Sequence, residues 1–219
     1  MAMISLSLIT FLLISVCAGD SDLKVDEGQV TFDAEGNDNP RSRYFSRKLH
    51  VPSAWSGITV GRGYDIKYKR KKVVLRDLRA IGLGDLYAKK IAGGVGKFGG
   101  KAKKYIKAQK LQSFTITRRQ QKNLFKITFA REKRETKRLV TKYYKRNLDR
   151  LNGKIQEILI DLKFRGDFRP TSRSNTMVQL KKAVQRNSLA DFTKVMSNRR
   201  MWRNVPFNRF ISRKNFLLH

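Results

Sequence analysis

The segment Ser56-Gly57-Ile58-Thr59-Val60-Gly61-Arg62-Gly63-Tyr64-Asp65 decides how the β part of this 219-residue chain folds. Its two short runs, 58–60 and 64–66, predict two strands joined by a glycine-rich turn. Thr59 and Asp65 would lie about 20 Å apart on an extended strand, at about 3.3 Å per residue. They meet only if the chain reverses at Gly61 and Gly63, which tolerate the positive φ of tight turns. An ordinary hairpin, in which Thr and Asp merely suit strand and turn positions, is the alternative.

A second acidic segment, Asp33-Ala34-Glu35-Gly36, lies upstream of the hairpin. Glu35 adds a carboxylic acid to the hydroxyl of Thr59 and the carboxylate of Asp65. Glycoside hydrolysis needs this minimum: one acid to protonate the leaving oxygen and a second carboxylate to act on water. A Glu before a Gly also marks the end of many helices and loops, so this segment alone does not define a site.

The rest of the chain is predicted to be mostly helical, so we expect an α+β fold with one small β-hairpin lobe. Ile155, Ile158, Leu159 and Leu162 follow the i, i+3, i+4, i+7 spacing of a buried helix. We expect that helix to end before Pro170. Residues 93–100 are predicted to be non-helical, and Thr117 is a good N-cap for a helix that starts there. Further helical periodicity covers 75–86, with a break at Gly82 and Gly84, and then 177–184, 189–196 and 202–216.

The N-terminus predicts a secretory signal peptide over residues 1–18. An apolar run from Ile4 to Val16 precedes small residues around Ala18, after which we expect cleavage. The run is short for a membrane anchor and lacks the polar face of a soluble helix, the two alternatives. Cys17, the only cysteine, would leave with it, which excludes disulfides and cysteine-bound metal. We expect residues 19–30 to be an acidic flexible segment and 31–219 one domain.

The charge of the chain is large and one-sided. The sequence has 49 Lys and Arg against 17 Asp and Glu, a formal net charge of +32. Residues 1–38 hold seven of the acids and one base, so the basic character belongs to the remainder. Such a protein will be attracted to polyanions, whether nucleic acid, anionic membrane or bacterial envelope polymers. Charge alone does not choose among them.

An ordered set of motifs resembles the phage-type lysozymes, and in particular their pesticin-like branch. The resemblance covers roughly residues 30–216. It is carried by Glu35-Gly36, by Thr59-Val60-Gly61-Arg62-Gly63-Tyr64 with Asp65 after it, by Ile116-Thr117 followed by Leu124-Phe125, by the helix 155–164, and by Trp202 with Pro206, Asn208 and Arg209. The longer interval from Glu to Thr and the Gly-Tyr-Asp ending are the features similar to the pesticin-like branch.

The resemblance implies a two-lobed lysozyme-like fold that hydrolyses the glycan strand of peptidoglycan. Glu35 would be the general acid, while Asp65 and Thr59 would position and activate the attacking water, giving inversion. Arg209 would orient the Glu35 carboxylate, and Tyr64 would bind or orient substrate. Phage-type lysozymes carry a further acid between the Glu and the Thr, but residues 39–58 contain none. Either Asp65 serves, as in the pesticin-like branch, or the activation of water is weaker. His50 lies in that interval and could help, although a lone His is more often structural.

Three functional hypotheses remain open from the sequence. The first is a secreted, monomeric muramidase that needs no cofactor or metal, binds peptidoglycan and anionic bacterial surfaces, and neither inserts stably into membranes nor binds a specific nucleic acid. The second is a non-enzymatic bactericidal polycation on a lysozyme-like fold. The third is a binder of nucleic acid or heparin-like polyanions, which should show basic residues interleaved with exposed aromatics. The set Glu35, Thr59 and Asp65 favours the first.

Overall fold

The computed structural model describes residues 23–219, so the predicted signal peptide and the start of the acidic segment lie outside the described residues. Nine α-helices, one two-stranded sheet, a π-helical turn at Val140–Tyr144 and 3-10 turns at Leu148–Arg150 and Arg199–Trp202 make up the regular structure of this part of the chain. The elements are α1 Gln29–Ala34, β1 Thr59–Val60, β2 Tyr64–Asp65, α2 Lys71–Ala80, α3 Asp85–Ala92, α4 Gly99–Ala108, α5 Arg118–Leu139, α6 Gly153–Arg165, α7 Asn175–Arg186, α8 Leu189–Ser197 and α9 Phe207–Leu218.

The predicted hairpin is present, and its register places the two ends of the motif side by side. β1 pairs antiparallel with β2, with Thr59 opposite Asp65 and Val60 opposite Tyr64. The chain reverses through Gly61 and Gly63, whose φ angles are +60° and +79°. These are left-handed conformations that glycine adopts without steric cost. The reversal brings together two side chains that an extended strand would have kept far apart.

Two hydrophobic cores divide the molecule into two lobes. The smaller core lies beneath the hairpin and α2–α4, around buried residues such as Ile58, Tyr64 and Leu78. The larger core is built from α1 and α6–α9, together with much of α5. Helix α5 serves both, since Leu124 belongs to the small core and Phe125 to the large one. The α+β, predominantly helical fold class expected from the sequence is confirmed.

Most predicted helices are confirmed, and the deviations have local causes. Thr117 caps α5, accepting from the Gln120 N–H while the Gln120 side chain accepts from the Thr117 N–H. Helix α6 ends at Gly166, whose φ of +87° closes it before Pro170 is reached. Helix α4 was not predicted, because it begins with two glycines and buries only a narrow stripe.

The segment expected to be flexible, residues 19–30, is described from residue 23 onward, and there it packs on the rest of the protein. Gln29 and Val30 already belong to α1, and Leu23 and Val25 pack against the larger core. Asp26 and Glu27 pair with Lys126 and Lys133 of α5, at 3.2 and 2.7 Å. The acidic residues therefore attach this segment to a basic helix instead of leaving it loose. Within residues 23–219, no helix combines the length and apolar character needed to cross a lipid bilayer.

Candidate functional site

A cleft of about 1270 Å³ runs between the two lobes and is lined from both sides. It exceeds the roughly 300–1,000 Å³ of ordinary small-molecule pockets, which suits an extended ligand. Helices α1, α6 and α9 supply one wall, and the hairpin with its flanking segments supplies the other. Residues on the first wall include Glu35, Phe164, Arg165, Asn208 and Arg209, and those on the second include His50, Ser53, Ser56, Thr59 and Asp65.

Glu35 enters the cleft from the end of α1. It is the residue that terminates this helix, as a Glu before Gly predicts, and its side chain is 21% exposed. Gly36 follows with φ +143°, and a Cβ there would lie 2.7 Å from the Cβ of Ser46. Only glycine therefore allows the chain to turn away directly after the carboxylate. The Nη1 of Arg209 lies 2.6 Å from the Glu35 Oε1, as the resemblance implied.

A buried charge network holds Arg209 behind Glu35. Asp161 of α6, which is fully buried, accepts from the Nε and Nη2 of Arg209 and, at 2.6 Å, from the Nε of Arg213. Arg213 also binds Asp167 at 3.1 Å. Burial raises the pKa of Asp161, but the charges of Arg213 and Arg209 outweigh it and hold the pKa below its usual value. Arg209 therefore presents a fixed, charged guanidinium to Glu35.

Thr59 and Asp65 lie on one face of the hairpin, and His50 extends their row. The backbones of His50 and Thr59 exchange hydrogen bonds of 2.8 and 3.2 Å, so these residues are directly opposite each other. Directly opposed residues of antiparallel strands point to the same face. The row His50, Thr59, Asp65 thus faces the cleft, which all three residues line.

The carboxylate of Asp65 is oriented by backbone donors. The Gly57 N–H donates to its Oδ2 at 3.1 Å, and the Lys67 N–H donates to its Oδ1 at 2.7 Å. A Cβ at Gly57 would lie 2.4 Å from Oδ1, so this approach requires glycine. Each carboxylate oxygen keeps a further acceptor site. Asp65 therefore has the structural role of an ordinary turn Asp, and it still has capacity to accept from a water.

The turn of the hairpin is anchored to α1, which fixes the hairpin relative to Glu35. Arg62 lies between the two glycines, and its buried guanidinium donates to the Phe32 carbonyl at 2.8 Å and to Asp38 at 3.0 Å. It also stacks over the Phe32 ring, 3.7 Å from the centroid. This contact brings Gly63 so close to Glu35 that a Cβ on Gly63 would lie 3.3 Å from Oε2.

Tyr64 corrects one expectation: its side chain does not line the cleft. It is fully buried in the smaller core and donates its hydroxyl to Asp77 at 2.7 Å. Arg131 completes this buried group by binding the same carboxylate. The physical reason is strand alternation, because Tyr64 directly precedes Asp65 in β2 and so points to the opposite face. Tyr64 is a core residue that joins the hairpin to α2 and α5.

Two features of the site were not identified from the sequence. The buried partner of Arg209, Asp161, was not identified, although a carboxylate within the apolar run of α6 was a signal for a buried ion pair. The pairing of His50 with Thr59 was also missed, since it depends on a contact between segments. Nδ1 of His50 lies 2.9 Å from the Lys48 carbonyl, so Nδ1 carries the proton of that contact. Among residues 23–219, no group of His, Cys, Asp and Glu is arranged to hold a metal ion.

Comparison with known families gives a single assignment. A family model described as "Domain of unknown function (DUF8812)" matches residues 28–214, and the chain therefore belongs to that family. The match spans both lobes and the whole cleft. No curated protein matches the sequence.

Proposed function

We propose that this protein is a glycoside hydrolase that cleaves the glycan strand of bacterial peptidoglycan, as a muramidase. The observation that carries the proposal is the placement of Glu35 and Asp65 on opposite walls of one long cleft. Two carboxyl groups facing a shared cleft are the working parts of most glycosidases. The resemblance to pesticin-like lysozymes assigns the same residues.

Glu35 is the proton donor in this proposal. Its Oε1 is bound by Arg209, while its Oε2 faces the hairpin turn near Gly63. The protonated carboxyl transfers its proton to the glycosidic oxygen as the bond from that oxygen to the anomeric carbon breaks. The leaving sugar departs as a neutral alcohol, and Glu35 is left as a carboxylate beside the guanidinium of Arg209.

Asp65 and Thr59 act on the water in this scheme. Asp65 takes one proton from the water as the water oxygen bonds to the anomeric carbon from the opposite face, which inverts the configuration. The backbone donors on Asp65 set its orientation, and the neighbouring hydroxyl of Thr59 positions the water. His50 adds a further polar group at the end of the same row. Proton exchange with solvent then restores the acid and the base.

The net charge of the protein and the size of the cleft favour a long, anionic substrate. The net charge of +32 would concentrate the protein on anionic bacterial walls. The predicted signal peptide would deliver it to the outside of the cell, where such walls are met. We therefore propose a secreted antibacterial or digestive enzyme that acts as a monomer on peptidoglycan.

A second candidate is supported by the charge itself. Helix α4 exposes Lys101, Lys103, Lys104 and Lys107, and basic residues cover the other helices as well. A polycation of this kind could injure bacterial membranes without breaking any bond. In that case the cleft residues would matter only for stability.

One pair of variants tests the proposal against this second candidate. Glu35→Gln keeps the shape of the side chain and removes the acid. We expect the release of reducing sugar from purified peptidoglycan to fall about 10²–10⁴-fold. Glu135→Gln is the matched control, because Glu135 is an exposed α5 residue paired with Arg138. If Glu35→Gln releases sugar as fast as Glu135→Gln, the assignment is wrong, and killing that persists without release supports the polycation.

A further inference from the structure

Three exposed aromatic residues lie around Lys67 in the hairpin lobe. Trp55 is 75% exposed, Tyr68 is 87% exposed and Phe98 is 37% exposed. Lys67 links them: its Nζ lies 4.6 Å from the Tyr68 ring centroid and 4.5 Å from that of Phe98, and it donates to the Trp55 carbonyl at 2.8 Å. Single exposed aromatics are common on protein surfaces, but a group organised around one lysine indicates binding.

The backbone around these rings is held in place. In the turn that carries Trp55, the Ser53 hydroxyl accepts from the Trp55 N–H and contacts the Ser56 hydroxyl at 2.8 Å. The Gly99 N–H donates to the Ser56 carbonyl at 3.0 Å, and Gly57 forms a bridge with Phe98. These backbone contacts therefore hold the rings at the protein surface, outside the core. Such preorganisation lowers the entropy lost on binding.

The aromatic group is continuous with the cleft. Ser53 and Ser56 line the cleft, and Trp55 lies between them in the same turn. On the neighbouring strand Asp65 lines the cleft, while Lys67, two residues further, holds the rings. A polymer that leaves the cleft past Asp65 would thus reach the aromatic group next.

We propose that Trp55, Tyr68 and Phe98 form a glycan-binding platform outside the cleft, on which sugar rings of the substrate strand stack. This inference rests on the proposed function, since it assumes a glycan in the cleft. The apolar C–H face of a pyranose packs on an aromatic face, and large rigid rings supply contact area at low entropic cost. The platform would favour long glycan strands over short fragments.

The lysine argues for a glycan and against a lipid surface. Inserting the platform into a bilayer would carry the Lys67 ammonium toward hydrocarbon, where a charge is costly. A sugar ring instead offers hydroxyl acceptors to an ammonium while its C–H face covers the rings. The same side chain thus favours one occupant and opposes the other.

Tryptophan fluorescence reports on the platform directly, because the chain has two tryptophans and they differ. Trp202 is buried and donates to the Val195 carbonyl, whereas Trp55 is mostly exposed. Acrylamide, a neutral quencher, will therefore act mainly on Trp55. The measurement uses the Glu35→Gln chain, so that the ligand is not consumed, in 1 M salt, where charge attraction is screened within about 3 Å. We expect soluble peptidoglycan glycan chains, freed of peptide, to protect Trp55 from quenching, and disaccharides to protect it little.

Variants then separate the platform from the cleft. Binding by the variants, each made in the Glu35→Gln chain, is read by titration calorimetry, because Trp55→Ala removes the fluorescent reporter. Trp55→Ala and Tyr68→Ala should weaken binding of the long chains about tenfold or more and leave binding of the disaccharide unchanged. Trp55→Phe keeps a ring and should restore much of the binding. Leu86→Ala is the control, as it shortens another exposed apolar side chain, one that lacks a ring.

The outcomes distinguish this inference from the proposed function. Long chains that bind the alanine variants as tightly as the parent, or fail to protect Trp55, overturn the platform. If the alanine variants lose binding to anionic phospholipid vesicles but keep their glycan binding, the group is a membrane contact. That result would also overturn the platform. Failure of Glu35→Gln to stop sugar release would reject the catalytic assignment alone, because the platform is read from binding without bond cleavage.

Discussion

Replacing Gly63 with Ala tests whether the hairpin turn sets the geometry of the cleft. Gly63 has φ +79°, and an added Cβ would lie 2.5 Å from Cε1 of Phe164 and 3.3 Å from Oε2 of Glu35. The left-handed backbone alone costs an alanine about 1–2 kcal/mol. The contact with Phe164 is a second cost, because this half-buried ring, which also packs against Phe125, would have to shift.

Gly82→Ala is a matched control that isolates this second cost. Gly82 has φ +78°, almost the same backbone conformation, and a Cβ there would meet nothing within 4 Å. The free energy of unfolding of Gly82→Ala should therefore fall only by the cost of the left-handed backbone, about 1–2 kcal/mol. Gly63→Ala should lose that amount and a further ~1–3 kcal/mol from overpacking. The difference between the two variants measures the contact at the cleft.

Urea unfolding gives the two stabilities, and release of reducing sugar by the folded variants gives the activities. Gly63→Ala should also lose about 10²-fold in activity, since a displacement of about 1 Å in a catalytic group has that effect. Gly82→Ala should keep the parent activity. If Gly63→Ala is no less stable than Gly82→Ala and is equally active, the turn does not position Glu35 and the reasoning fails.

Two further predictions follow from the charges around the cleft. Asp161→Asn leaves Arg209 and Arg213 buried without their shared carboxylate, and urea unfolding near neutral pH should show a loss of about 3–5 kcal/mol. The pKa of Asp161 is lowered in the folded state, so its stabilisation is complete above the unfolded pKa of about 3.9 and is lost at lower pH. On acidification the free energy of unfolding of the parent should therefore fall more than that of the variant. A parallel pH dependence of the two proteins would contradict this. Asp65→Asn should reduce sugar release more than Thr59→Ser, which keeps a hydroxyl, and NMR of fresh products should show the inverted anomer, whereas a retained anomer would make a carboxylate the nucleophile.

The parts of the fold that sequence predicts well are those whose signals are local. The glycines at 61 and 63 identified the reversal of the hairpin, and Thr117 identified the start of α5. The apolar spacing of α6 located a helix of the larger core. Helix α4 is not predicted from the sequence, because its two leading glycines are typical of loops. Its packing against the hairpin lobe overrides that local preference.

The sequence predicted the residues that line the cleft more fully than the residues that hold them in place. Glu35, Thr59, Asp65 and Arg209 all line the cleft, but Tyr64 does not. Strand alternation could have excluded Tyr64, because adjacent residues of a strand face opposite ways. The alignment of His50 with Thr59 and the binding of Asp161 to Arg209 join separate segments of the chain. A local pattern can mark Asp161 as a buried charge, but it does not identify the partner.

The central claim is that the cleft between Glu35 and Asp65 adds water across a glycosidic bond. Digesting purified peptidoglycan in water enriched in oxygen-18, followed by mass spectrometry of the soluble products, tests it most directly. The proposed scheme predicts glycan fragments whose new reducing ends each carry one oxygen-18 atom, and their absence with Glu35→Gln. Fragments with anhydro ends and no label, or no soluble glycan from the parent protein, would contradict it.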